Sequence, residues 1–214
     1  MEFIYNDGGR SNYFKASNVR DCVCRALCIT TGVDYKVMYD LINKVSKLEK
    51  HSSPSNARNG VYKDSWKKIL KALRAQEIKV QEFGDSKKCH LRDEDLLDYQ
   101  RGKYLLSLSG HCSSLIDGNL VDTYDCSREG DRQVYKMYKM TKSVEEYNQL
   151  IEQYNLELDK KIANKEKRDK RESNRKSKAL KQLLELDNEE HQLRKRLNQI
   201  SEAKRNLKQL LSKI

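Results

Sequence analysis

Apolar and polar positions follow one rhythm through the first seventy residues and another through the next seventy. Residues 21–31 (DCVCRALCITT) are mostly apolar with scattered polar positions and run into Gly32, which predicts a short buried helix with a glycine C-cap. Asp34 is placed to cap a second helix, in which Tyr35, Met38, Leu41, Ile42 and Val45 recur at helical spacing. A stretch rich in turn residues (51–60, HSSPSNARNG) follows, and Trp66, Ile69, Leu70 and Leu73 then mark a third amphipathic helix. Beyond it the period falls to two. Ile78, Val80 and Phe83 alternate, and 103–109 (KYLLSLS) has the composition of a buried strand. Residues 111–116 and 119–124 flank Asp117-Gly118, a pair suited to a two-residue type I′ turn, and 133–140 (QVYKMYKM) supplies another antiparallel strand. Helices first and antiparallel strands second predict an α+β domain.

A different pattern begins at Ser143. Ser143 and Glu146 fit a capping box, and Tyr147, Leu150, Ile151, Tyr154 and Leu158 form one apolar stripe able to lie back on the domain or to meet a partner. Further on, Leu183, Leu186, Glu190, Leu193, Leu197, Ile200, Lys204, Leu207, Leu211 and Ile214 step alternately by three and four, which is a coiled-coil seam. Self-association or partner binding through 180–214 is the expectation, with folding of that segment against 144–162 as the alternative. The last glycine is Gly130 and the single proline is Pro54, so nothing after residue 131 interrupts a helix. Two parts are therefore predicted: a compact domain, 1–140, and a charged helical arm, 141–214.

Charge modifies this picture. The net charge of +11 divides into about +5 before Thr141 and about +6 after it, so both parts are basic. The run 160–181 (KKIANKEKRDKRESNRKSKALK) could contact nucleic-acid phosphates, or simply be a solvated helix. The start of the sequence has no signal-peptide pattern and no apolar run is long enough to cross a bilayer, which predicts a cytosolic protein without membrane contact. In that setting the six cysteines, 22, 24, 28, 89, 112 and 126, should be thiols rather than disulfides. They lack the paired C-x-x-C spacing of structural zinc, and neither a metal nor another cofactor is expected.

One thiol is placed for chemistry. Cys22 falls in the first turn of the first predicted helix, where the helix dipole favours thiolate, and His111, opening a strand after the small Gly110, is the expected imidazole partner. With Asp117 and Gly118 at the turn, residues whose numbers sum to about 235 lie opposite each other, so His111 faces Tyr124 and Asp122 faces Ser113. Asp122 is then diagonal to His111 on the same face and can orient its ring, while Asp125 points away. Strand alternation predicts that Cys112 and Cys126 also point away, and His51, His90 and His191 have no comparable setting.

The segments DCVCRALCITTG (21–32) and SGHCSSLIDGNLVDTYDCS (109–127) resemble small papain-fold cysteine-hydrolase-like proteins often carried by bacteriophages. The order Cys, His, Asp is also similar to that of bacteriocin-processing double-glycine peptidases. The resemblance spans about residues 15–138 and omits the arm. It implies a papain-like fold, a peptidase or isopeptidase activity on a protein or peptide, Cys22 as nucleophile, His111 as base and Asp122 as orienting group. Such enzymes usually carry an oxyanion-donating Gln some six residues before the nucleophile. Ala16 stands there, and Asn18 is the nearest amide. The competing reading is an inactive papain-like domain that acts as an interaction or virion-associated protein through its arm.

Overall fold

The structure, a computed structural model, describes residues 1–15, 19–78, 89–92 and 94–212. Asn18, Val80 and Phe83 lie outside the described residues. The chain divides into two compact units, Met1–Ile162 and Ala163–Ile214.

The first unit is α+β. Helices α1 (Cys22–Thr31), α2 (Tyr35–Ser46) and α3 (Lys63–Ala72) precede most of a seven-stranded sheet. Its strands are β1 (Phe3–Tyr5), β2 (Gln76–Ile78), β3 (Cys89–His90), β4 (Lys103–Leu108), β5 (His111–Ile116), β6 (Asn119–Asp122) and β7 (Gln133–Met140). They lie in the order β1-β6-β5-β4-β7-β2, with β3 also on β7, and every pairing is antiparallel except β1 with β6. Strand β1 has no alternating pattern to betray it. It positions the end of β6, because Tyr5 lies opposite Asp122 and the Asn6 amide donates to the Asp122 carbonyl at 2.8 Å.

Both sheet faces are covered. Leu105, Cys112, Tyr138 and Met140 pack against the buried sides of α1, α2 and α3, and Leu106, Leu108, Leu115, Leu120 and Met137 join Leu91, Leu96 and Tyr99 on the other face. The alternation of Leu105 with Leu106 places the two on opposite faces, as a pleated strand requires. Helix α1 is buried along most of its length, including Thr30 and Thr31, whose hydroxyls donate back to the Ala26 and Leu27 carbonyls. Ser114 of β5 donates to the Ala26 carbonyl at 3.3 Å and ties the helix to the strand that carries the candidate imidazole.

The punctuation acts as expected. Gly32 ends α1 at φ 75°, its amide donating to the Cys28 carbonyl at 2.7 Å, and a Cβ there would approach Val144 to 2.8 Å. Asp34 caps α2 by accepting from the Lys36 and Val37 amides. Asp117 and Gly118 both have positive φ, 46° and 80°, as a type I′ turn demands.

Helix α4 (Val144–Leu211) begins with the expected capping box: the Ser143 amide donates to Glu146 Oε2 at 2.9 Å, and the Glu146 amide donates to Ser143 Oγ at 3.2 Å. Tyr147, Ile151 and Leu158 are buried in the helix-side core. The compact unit therefore reaches Ile162 rather than ending near 140, because burying this stripe removes apolar surface from water. Ser143→Ala should cost about 1 kcal/mol, measured as a lower denaturant midpoint at unchanged slope, whereas Ser143→Asn should stay near wild type. An unchanged midpoint in the alanine variant would mean the box does not limit the helix.

The second unit is the remainder of α4, its described side chains exposed apart from the half-buried Lys165. Among the described residues, no helix is long and apolar enough to cross a membrane.

Candidate active site

The three expected residues occupy element ends. Cys22 is the first residue of α1, His111 the first of β5 and Asp122 the last of β6. Ladder pairs Ser114 with Val121, Leu115 with Leu120 and Ile116 with Asn119 follow the register read from the turn. The His111 and Tyr124 rings lie 5.3 Å apart, and His111 Nε2 is 2.7 Å from Asp122 Oδ2. With Nε2 committed to a carboxylate, the ring's position and proton placement are set.

The thiol and the ring perturb each other. Burial by itself raises the Cys22 pKa, but the hydrogen bond and charge of His111, the Cys112 amide and the Arg25 charge together bring it below the ordinary thiol value. Burial by itself lowers the His111 pKa. Hydrogen bonds with Asp122, Cys126 and Cys22 and the Asp122 charge outweigh it and push the imidazole up to about 12. Asp122 is likewise held below its usual range, its burial outweighed by His111, by the Ser113 side chain and by the Thr123 amide at 2.7 Å. These shifts favour a thiolate, an imidazolium and a carboxylate side by side. Cys22 is also the only one of the six cysteines that is not buried.

A second group, invisible in the motif spacing, supports this arrangement. Arg25, one turn after Cys22 and only 5% exposed, pairs with Asp21 and reaches Asp122 Oδ1 at 3.4 Å. The Tyr35 hydroxyl donates to the other Asp21 oxygen at 2.6 Å. Asp21 precedes α1 without capping it; its carboxylate instead neutralises a buried guanidinium that spans from α1 to β6. The signal available in the sequence was a lone charge inside an otherwise apolar helix, four residues after an aspartate.

The remaining thiols and imidazoles divide. Cys112 packs in the helix-side core, yet it also lines the cleft with Cys22 and His111, so it is not turned away from the site as alternation alone suggests. Cys126 does not turn away: its sulfur lies within 4.8 Å of a His111 ring nitrogen. Alternation fails for it because β6 ends at Asp122, and beyond that residue the chain no longer follows the pleat. His51 packs on the Tyr62 ring, His90 lies beside Asp95 and His191 is exposed on α4. The donor atoms of His111, Asp122 and Cys126 lie within 4.8 Å of one another, so these three could approach a metal. Binding there would have to replace the His111–Asp122 hydrogen bond.

A cleft of about 610 Å³ opens over Cys22 and His111. Val61, Lys63, Trp66 and Lys67 line it from α3 and the segment before it, and Leu108, Tyr135 and Tyr138 from the sheet. Comparison with protein-family models, curated proteins and solved structures finds no match to the chain.

Proposed function

We propose that this protein is a cysteine hydrolase of papain-like type, acting on a peptide, isopeptide or related acyl bond. The observation that carries the reading is a partly exposed thiol at a helix N-terminus that lines an open cleft together with an imidazole, the imidazole held by a carboxylate at 2.7 Å.

The Cys22 thiolate adds to the substrate carbonyl, and the oxyanion forms beside the Cys22 amide, one of the helix amides left without an intrahelical acceptor. Asn18 is the proposed second donor. Because the imidazole already carries its proton, His111 acts first as an acid, protonating the leaving amine as the C–N bond breaks. It then acts as a base: it takes a proton from water, whose oxygen attacks the thioester, and the acid product leaves as the thiolate re-forms. Asp122 keeps the ring oriented throughout and stabilises its charged form before the first proton transfer and after the second. The order of α1 before an antiparallel sheet, with nucleophile, imidazole and carboxylate in that sequence, supports the papain-like assignment.

The direct test is acyl transfer. An activated peptide ester should place its acyl group on Cys22, detectable by mass, and the adduct should discharge on standing. No adduct, or one formed equally in Cys22→Ser, would reject the hydrolase. The rate against pH supplies a second check. A depressed thiol pKa means thiolate is present below the ordinary thiol value and is lost only as pH falls through the lowered one. Reactivity should therefore extend to lower pH than that of an ordinary thiol and show no alkaline decline from His111 below about pH 10. In His111→Gln the rise should move to the range of an ordinary thiol, and an identical profile in both proteins would show that the ring does not activate the sulfur.

A further inference from the structure

Among the described side chains the seam in the second unit is exposed: Leu183 is 63% exposed, Leu193 64%, Leu197 64% and Leu207 59%. A polar helix has no reason to keep such a stripe unless something covers it. The stripe in 144–162 is itself engaged, with Tyr147, Ile151 and Leu158 buried in the core of the first unit.

We propose that residues 183–211 form an antiparallel two-stranded coiled coil with a second copy of this chain. The two charged seam residues decide both the occupant and its direction. Glu190 and Lys204 have opposite sign and lie symmetrically about Leu197, one heptad to either side. A parallel pair in register sets Glu190 against Glu190 and Lys204 against Lys204, two like-charge contacts inside an apolar seam. An antiparallel pair centred between Leu197 and Ile200 sets each charged residue against a leucine, Glu190 against Leu207 and Lys204 against Leu193. It also brings the Glu190 of one copy within one layer of the Lys204 of the other, so the charges neutralise in pairs.

Flanking charges act in the same direction. Antiparallel pairing puts Asp187 beside Lys208 of the second copy. Parallel pairing offers Glu189 with Arg194, but Arg194 is already engaged by Glu190 of its own helix at 2.6 Å, and solvent-exposed pairs contribute little. The seam is bounded as a dimerisation segment should be, since residues 165–178 contain no apolar side chain and cannot extend it.

The test uses the full chain. Sedimentation should give a reversible dimer. Glu190→Lys or Lys204→Glu alone should each weaken it by about tenfold, and the double exchange should recover wild-type association, because the opposite charges again meet across the interface. In a Cys22→Ser background, Leu186→Cys mixed with Leu211→Cys should cross-link, whereas Leu186→Cys alone should not. A monomer at millimolar concentration, a double exchange no better than the singles, or self-cross-linking of Leu186→Cys would each overturn the proposal. The charge variants lie outside the first unit and keep Cys22, so its thiol chemistry serves as their control for folding; for the cross-linking variants the control is thermal unfolding of the first unit.

Discussion

Replacing Cys22 by Ser should reduce alkylation of the native protein at neutral pH by on the order of a hundredfold or more, to the slow background of five buried thiols. The magnitude follows from what those thiols experience. Burial pushes Cys89 up to about 12, and Cys112, buried beside Cys22 and Asp122, is raised well above the ordinary value. Cys28 is raised as well, by its hydrogen bond with Cys24 and by burial. Cys22 combines exposure with a lowered pKa, having the imidazolium, the Cys112 amide and the Arg25 charge around it, whereas Cys126, also beside His111, is buried. Mass mapping of the alkylated protein should therefore find one modified residue. Comparable labelling of Cys89 or Cys126, or undiminished labelling of Cys22→Ser, would contradict this reading.

The second large effect is on stability. Asp21→Ala should cost about 3–5 kcal/mol, because it leaves the Arg25 guanidinium buried without its main counter-charge and the Tyr35 hydroxyl without its acceptor. In a unit of this size that lowers the melting temperature by about 10 °C. The cost lies in the uncompensated charge rather than in the worth of the pair. Asp21→Ala combined with Arg25→Met should therefore be clearly more stable than Asp21→Ala alone. Thermal unfolding of the two variants checks both statements. A loss below about 1 kcal/mol in Asp21→Ala would show that the guanidinium has enough other partners, and a double variant worse than the single would show that Arg25 is needed for packing instead.

Local signals were legible where local chemistry determined the outcome. The Asp117-Gly118 pair set the hairpin register, and the register alone brought Asp122 to His111 across ten intervening residues. Ser143 and Glu146, Asp34 and Gly32 placed three helix ends for the same reason, since each satisfies backbone groups within its own turn. What escaped was settled by tertiary contact. Strand β1 is three residues long and gains its identity only by pairing with β6, a partner more than a hundred residues away. Cys126 reaches His111 through a loop, where no periodicity applies. Arg25 could be suspected as a charge in an apolar helix, but its link to Asp122 exists only once α1 lies against the sheet. The boundary near 140 followed the loss of glycine and proline, which marks where turns end and not where burial ends. Tyr147, Ile151 and Leu158 carry the core onward along an uninterrupted helix.

The central claim is that the sulfur and the ring rest as a charged pair, and it can be read without a substrate. Ultraviolet titration of the thiolate, taken as wild type minus Cys22→Ser, should give a midpoint below that of an ordinary thiol, and nitrogen NMR should show the His111 ring doubly protonated across the same range. A midpoint at or above the ordinary value, with His111 titrating near 6.5, would mean that the two groups are neighbours without being partners.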